Sequence, residues 1–591
     1  MKKLIILFSA IILLAGACND EFLQRAPLTN ISDANFWKST NDLILYANNF
    51  YNNFLGGYYT GHADMLIYGL DADHGTDIQM GLSYNSTMNG ERTVPASGGG
   101  WAAGDWAPIR NVNYFLENYR RVNASFDEVK KYAGEALFFR SLLYFTKLRG
   151  FGDVPFVSST LGTSSDALFD ERLPRNQVVD SLMRDLDLAV EYLPSFSAGW
   201  TGRLNRETAM LLQARIALYE GTWEKYHAGT AFGVQGSNGN KFIQKAADVA
   251  KQLIDAKTCD LDNKGVVNGY RNIFNREDHS SSKEVLFWRK FSVENNVTHG
   301  AARCSGDGGA RGVTKSMVDS YLDLQGKPIA VSTIYVPGEE SLAEIASNRD
   351  PRLAQTIYTS ENDLFWTNRP DGIDVYFKYP SFLLDRMCAN GYQLCKGHNP
   401  DYGQYNSQKS LTAYIWFRYA EALLIYAEAK AELGTITQED VDITINELRK
   451  RVGMNNGLLT LGAITADPNW EFPELTPIIN EVRRERKVEL CCEGYRRDDI
   501  FRWAAANKLI VGKRPKGAKK SQWLNDPGTP QNILDALQAV HFEADENGYI
   551  DRFKYTIPNG YGFKVNRDYL SPLPIEEMLL NSNLRQNPGW E

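Results

Sequence analysis

The pairing of RETAMLLQARIALYEG (206–221) with KFIQKAADVAKQLIDA (241–256) constrains this chain more than any other feature. Apolar residues recur three and four apart in both segments, the mark of helices with one buried face. Ala209, Ala214 and Ala217 on the first, and Ala246, Ala247 and Ala250 on the second, stand where bulkier side chains would hold two helix axes apart. Small residues at such places let neighbouring helices approach closely, as in tetratricopeptide-type repeats. The signature returns in FRYAEALLIYAEAKAELG (417–434), followed by ITINELRKRVG (443–453). The segments are not identical, so the expected fold is mainly α, an irregular tetratricopeptide-like helical array.

Further helices are expected in SDANFWKSTNDLILYANNFYNNF (32–54), DWAPIRNVNYFLENYRRV (105–122), SFDEVKKYAGEALFFRSLLYFTKLRGFGDVP (125–155) and RNQVVDSLMRDLDLAVEYLP (175–194). Residues 56–105 break this pattern with Gly, Asn, Ser and Thr, and so does the region from about 260 to 410, where short pieces such as EVLFWRKF read as strands. Long loops in a helical protein tend to carry function. SGDGGARG (305–312) lacks the Lys-Ser/Thr of a phosphate loop and reads as a mobile loop. Asn547-Gly548 between apolar flanks predicts a hairpin turn in preference to an acidic calcium loop. The insertions, loop-rich and with short β-hairpins, are expected to carry the ligand surface.

The first residues bear on the compartment. Lys2 and Lys3 precede an apolar run, Leu4–Leu14, that reaches about half of a ~30 Å hydrocarbon core, too short to span it. Small residues follow, then Cys18, which is the arrangement of a bacterial lipoprotein signal, although Ala15 stands where such signals usually carry Leu. We therefore expect residues 1–17 to be a signal peptide, Cys18 to be lipidated and residues 18–31 to form a tether. Cleavage would leave 574 of the 591 residues, and the loss of Lys2 and Lys3 would move the formal charge from −8 to −10. That balance, with KRPKGAKK (513–520) as the single basic cluster, argues against nucleic acid as a partner. The six later cysteines are too sparse for a disulfide scaffold, and a Cys388–Cys395 bridge stays open. No cofactor or metal motif occurs. His-Glu-x-x-His and Gly-x-Ser-x-Gly are both absent, and no enzyme activity is expected.

Several phrases taken together resemble the SusD/RagB family of outer-membrane lipoproteins. They are WAPIRNVNYFLEN (106–118), GEALFFRSLLYFTKLRGFGDVPFV (134–157), GRLNRETAMLLQARIALYEG (202–221) and FRYAEALLIYAEAKAELG with INELRKRVG (445–453). VRRERKVELCCEGYRRDDIFRW (482–503) and PLPIEEMLLNSNLRQNPGW (572–590) complete the set. The resemblance covers essentially the whole mature chain. It implies four tetratricopeptide-like units, with an N-terminal region (32–260) and a C-terminal region (261–591) packing as one globular unit. It further implies anchoring on the outer face of the outer membrane and a SusC-like TonB-dependent transporter as partner. The ligand would be an oligosaccharide or, in some members, a peptide; a surface glycoside hydrolase is the remaining alternative. Asn19-Asp20-Glu21 fits the surface-export signal of such lipoproteins.

Aromatic residues make up 12% of the chain, and exposed rings flanked by amides and charges suit a sugar ligand. From the first loop the candidates are Tyr84, Asn85, Arg92 and Trp101. From the middle region they are Asn296, His299, Arg303 and Trp366. Trp106 belongs to a shared phrase and is expected in the core. Arg483, Arg486 and Asp498 are expected in buried ion pairs and caps, with Glu485 and Glu489 facing Arg and Lys at helical spacing.

Overall fold

The computed structural model describes residues 36–55, 73–199, 201–335, 338–384 and 386–591. Cys18, the tether and the first part of the 56–105 loop lie outside the described residues. The fold is mostly helical, with three two-stranded antiparallel sheets among the described residues.

The N-terminal helices are α1 (Thr40–Leu55), α2 (Ala103–Asn118), α3 (Phe126–Phe151), α4 (Arg175–Tyr192), α5 (Arg206–Tyr226) and α6 (Asn240–Asp255). α3 opens on a capping box, in which the Ser125 backbone N–H donates to the Glu128 carboxylate at 2.8 Å, and stops at Gly152, whose φ is +73°. Asn205 caps α5 by accepting from the Thr208 N–H at 2.9 Å. Each helix packs on the next, from α2 through to α6, and α1 leans on α3. The six alanines of the α5–α6 pair are all buried. The chain resumes this array much later. α9 (Tyr419–Glu432) packs on α6 and also meets α5, and α11 (Pro477–Glu489) packs on α9, with α10 (Ile445–Arg451) beside them and α12 (Arg496–Arg502) on α5.

Between α6 and α9 the chain makes a long excursion. It leaves along β2 (Val285–Arg289) and returns along β6 (Tyr414–Arg418), and these strands pair antiparallel from Val285↔Arg418 to Arg289↔Tyr414. Residues 290–413 are thus closed at their base by a two-stranded neck. The excursion holds α7 (Ala301–Gly306), β3 (Arg311–Val313), the β4–β5 pair (Leu364–Trp366 with Val375–Tyr376) and α8 (Tyr402–Ser407). β3 also pairs with β1 (Gln79–Gly81), which ties the first loop to the excursion.

The 305–312 segment corrects the sequence expectation. Residues 304–310 are buried, not mobile. Gly308 has φ +112°, and a Cβ there would lie 2.4 Å from the Cys388 backbone N; a Cβ on Gly312 would lie 1.9 Å from Asn390 Oδ1. These glycines serve close backbone approach. KRPKGAKK is likewise pinned, since Arg514 and Lys516 both pair with the buried Asp551 and Ala518 is buried. The Asn547-Gly548 turn closes as expected, with the Asp545 N–H donating to Tyr549 O at 2.9 Å. Cys388 and Cys395 are buried free thiols.

The carboxylates of α11 find their partners across the fold. Glu489 accepts from Arg451 (2.6 Å) and Arg418 (2.7 Å) and, at 3.1 Å, from Arg352; Glu485 accepts from Arg449 at 2.9 Å. Burial alone would raise the Glu489 pKa, but the guanidiniums of Arg451, Arg418 and Arg352 overcome it and hold the group well below the usual carboxylate range. Arg483 pairs with Glu432 and Arg486 with Asp499, both buried, whereas Asp498 stands half-exposed beside Arg149. Trp503 donates its indole N–H to Glu428 at 2.9 Å inside the core.

Candidate functional site

On the excursion, three aromatic rings and a set of arginines converge. Trp366 ends β4 and is 8% exposed. Its indole lies over Gly306, where a Cβ would come within 2.4 Å of two ring carbons, so the last residue of α7 must be glycine for the ring to seat. Asp401 caps α8 by accepting from the Gly403 N–H at 2.9 Å, and Tyr402 and Tyr405, three residues apart, then lie on one face of that short helix. Tyr405 sits 4.6 Å and Tyr402 5.8 Å from Trp366, centroid to centroid, and the tyrosines are 5.4 Å from each other. Both tyrosines are half-exposed. Trp366 is the floor of this shelf and the tyrosines are its surface.

Polar groups fix the shelf from the side. The Tyr405 hydroxyl donates to Asp307 Oδ1 at 2.9 Å, and Arg303 Nε donates to Oδ2 at 2.9 Å. Arg303 lies 4.8 Å over the Tyr405 ring, Arg386 is 3.9 Å from Asp307, and Arg369 lies 5.6 Å over Tyr402. Desolvation, with the bond to Asp307, pushes the Tyr405 phenol up to about 12, so it stays protonated and donating. Beneath, His398 stacks on Phe365 at 5.2 Å and touches Trp366 at 4.8 Å. Burial lowers its pKa to about 3, so the ring is neutral. Nε2 lies 3.0 Å from Phe365 O and Nδ1 2.9 Å from Ser305 Oγ. The carbonyl can only accept, so the N–H is on Nε2, and Nδ1 accepts from the Ser305 hydroxyl.

The structure brings Arg303 and Trp366 together and places the other sequence candidates elsewhere. Trp101 is a correction. It is 4% exposed, edge-on to Phe151 at 4.8 Å and Trp106 at 5.1 Å, because Gly98, Gly99 and Gly100 all take positive φ and turn the chain back onto α3. Trp106, expected in the core, is half-buried, with Lys147 4.8 Å over its ring. His299 is a second correction. At 1% exposure, with Nε2 2.9 Å from Thr412 O and Nδ1 accepting from the Ala301 N–H, it braces the excursion just above the neck. Asn85 spends its amide on the backbone of Met88 and His74. Tyr84 donates to Glu91 at 3.0 Å. Asn296 is exposed at the tip of the turn closed by Ser292 and Val297. Arg92 reaches Ser571 at 3.0 Å, against the C-terminal segment. Sequence reasoning missed Tyr402, Tyr405, Asp307, Arg369 and Arg386. The signal available for two of them was DYGQYNS, a helix cap followed by tyrosines at i and i+3 in polar surroundings.

An apolar floor, two flat rings and forked donors at the rim can take a ligand with apolar faces and hydroxyl edges. No helix among the described residues is long and apolar enough to cross a membrane. Residues 272–590 match the profile described as the SusD family, and residues 95–218 match one described as starch-binding associating with outer membrane. SusD-like protein P2 of Formosa agariphila is 26% identical over the full length of both chains. SusD-like protein P38 of the same organism is 22% identical over 83% of this chain and 88% of its own. A SusD-like carbohydrate-binding protein from Bacteroides fragilis shares the fold with a TM-score of 0.68, at 21% identity, covering 93% of this chain and all of that one. A SusD homologue from Bacteroides thetaiotaomicron gives 0.59 at 16% identity, covering 95% and 99%.

Proposed function

Because the chain belongs to the SusD family, we propose that it is a cell-surface glycan-binding lipoprotein. It captures an oligosaccharide on the shelf and passes it to a SusC-like TonB-dependent outer-membrane transporter. Acylated Cys18 holds it to the outer face of the outer membrane. The observation that carries the reading is the Tyr402–Tyr405 surface over Trp366, with Arg303, Arg369 and Arg386 at its rim. The C–H face of a sugar ring lies against the tyrosines, and guanidinium N–H groups donate to its hydroxyls. Asp307 orients Tyr405 and Arg303 before the ligand arrives, which lowers the entropy lost on binding.

The test is a glycan array probed with the wild type and Tyr405→Ala. We expect Tyr405→Ala to weaken binding by about 2 kcal/mol, roughly 30-fold, as truncation of an anchoring tyrosine does. Its melting temperature should hardly change. Undiminished glycan binding by the variant would sink the shelf. A peptide library bound in place of glycans would redirect the reading to peptide capture, and sugar product released during incubation would redirect it to hydrolysis.

A further inference from the structure

A second concave site lies away from the shelf, on the helical array. Two cavities of about 200 and 290 Å³ adjoin there and share Thr146, Arg149, Gly494 and Asp498. Tyr414 and Trp416, 4.5 Å apart, line the first; Arg92, Arg497 and Ser571 line the second. Thr146, Gly494 and Arg497 are exposed, so the second cavity opens to solvent.

Positive charge is in excess around the second cavity. Asp498 pairs with Arg149 at 2.5 Å, and the fully buried Asp568 serves Arg567 at 2.8 Å and Arg92 at 3.6 Å. Four arginines thus face two aspartates. Arg497 has no ion pair among the described residues; its guanidinium lies 5.1 Å over the Phe501 ring. Arg92 Nε and Arg149 Nε are buried donors without a hydrogen-bond partner among the described residues. Burial, with Arg497 and Arg567 adding repulsion, lowers the Arg92 guanidinium to about 10.

We propose that this pocket binds an oxyanion, a sulfate, phosphate or carboxylate group, between Arg92, Arg149 and Arg497. Such a group accepts from guanidinium forks and supplies the negative charge that the two aspartates leave short. The ligand is either a free anion or a sugar bearing the group, whose ring would then extend toward Tyr414 and Trp416.

Isothermal titration calorimetry on the detergent-solubilised full chain tests this with three probes: sodium sulfate, a 6-sulfated hexose and the same hexose unsulfated. Sulfate and the sulfated hexose are expected to bind, more weakly at high salt. Arg497→Gln should weaken both by tenfold or more, with Arg497→Lys intermediate. Arg497 is exposed, so neither variant should lower the melting temperature. A sulfated hexose that outbinds sulfate identifies a sugar-borne group as the ligand; equal affinities identify the anion alone. The proposal is overturned if sulfate and sulfated hexose fail to bind, or if Arg497→Gln leaves their binding unchanged. An equal loss for the unsulfated hexose would overturn it too.

Discussion

Arginine, carboxylate and aromatic ring build two very different regions of this molecule. Around Glu489, the partners Arg418, Arg451 and Arg352 are 0–1% exposed, and the Tyr270 ring lies 5.0 Å from the Arg451 guanidinium. Around Asp307, Arg303 and Arg386 are about a third exposed and Tyr405 is half-exposed. In the first region the opposing charges are consumed inside the protein, so the network joins β6, α10 and α11 to Glu284, the residue before β2. In the second, one aspartate is shared by two arginines and a phenol, which leaves guanidinium donors for a ligand. Burial, more than residue type, separates scaffold from site.

The largest effect that would test this contrast is in the scaffold. Arg418→Ala leaves Glu284, Glu489 and Glu493 short of a guanidinium in the interior. We expect a loss of about 3–5 kcal/mol in urea denaturation. A neutral result would show that the network is dispensable and would dissolve the comparison. Next comes Trp101→Ala, expected to remove about 3–4 kcal/mol of stability by opening a cavity against Phe151. The folded fraction should keep its glycan affinity; a selective loss of binding would return Trp101 to the ligand surface.

Smaller effects sit under the shelf. His398 ordinarily titrates at 6.5 but is held down to about 3 by burial, so below pH 6.5 the unfolded chain takes a proton that the folded one refuses. Its contribution to stability is therefore full above pH 6.5 and falls by up to about 1.4 kcal/mol per unit as pH drops toward 3. Asp73 and Glu224, both raised to about 7 by burial, act in the opposite sense as pH falls from 7 to 4. His398→Gln should accordingly flatten the acid side of the stability curve by one proton, and an unchanged slope would contradict the buried neutral ring. Smallest is Tyr405→Phe, which keeps the ring and removes the bond to Asp307. We expect about 0.5–1.5 kcal/mol less binding energy by calorimetry, from weaker orientation of Arg303. Full affinity would show that orientation contributes nothing.

The helical array was legible because its signals are local. The alanine pairing of α5 and α6 lies within two neighbouring segments of sequence. What escaped was long-range. Gly308 and Gly312 read as mobility, but their reason is the approach of residues 388–390. Helical spacing sets Glu485 and Glu489 near Arg and Lys of their own helix, but their partners come from residues 352, 418, 449 and 451. Trp101 looked exposed because glycines flank it, although those glycines turn it inward. The shelf was half visible: Trp366 and Arg303 drew attention as isolated residues, whereas Tyr402 and Tyr405 join them only once the neck has folded the excursion back.

That neck has a consequence for descent as well as for folding. The chain leaves the array at residue 289 and re-enters it at residue 414, its hydrogen-bonded neighbour in the ladder. Insertions or deletions near the tips at 364–376 and 402–407 would therefore be absorbed locally, without shifting the register of α9 on α6. Lengthening such a loop costs little, about 0.6 kcal/mol per doubling. Relatives can diverge in what they hold while inheriting one frame, and a foreign tip grafted between the same two strands should be accepted by this one.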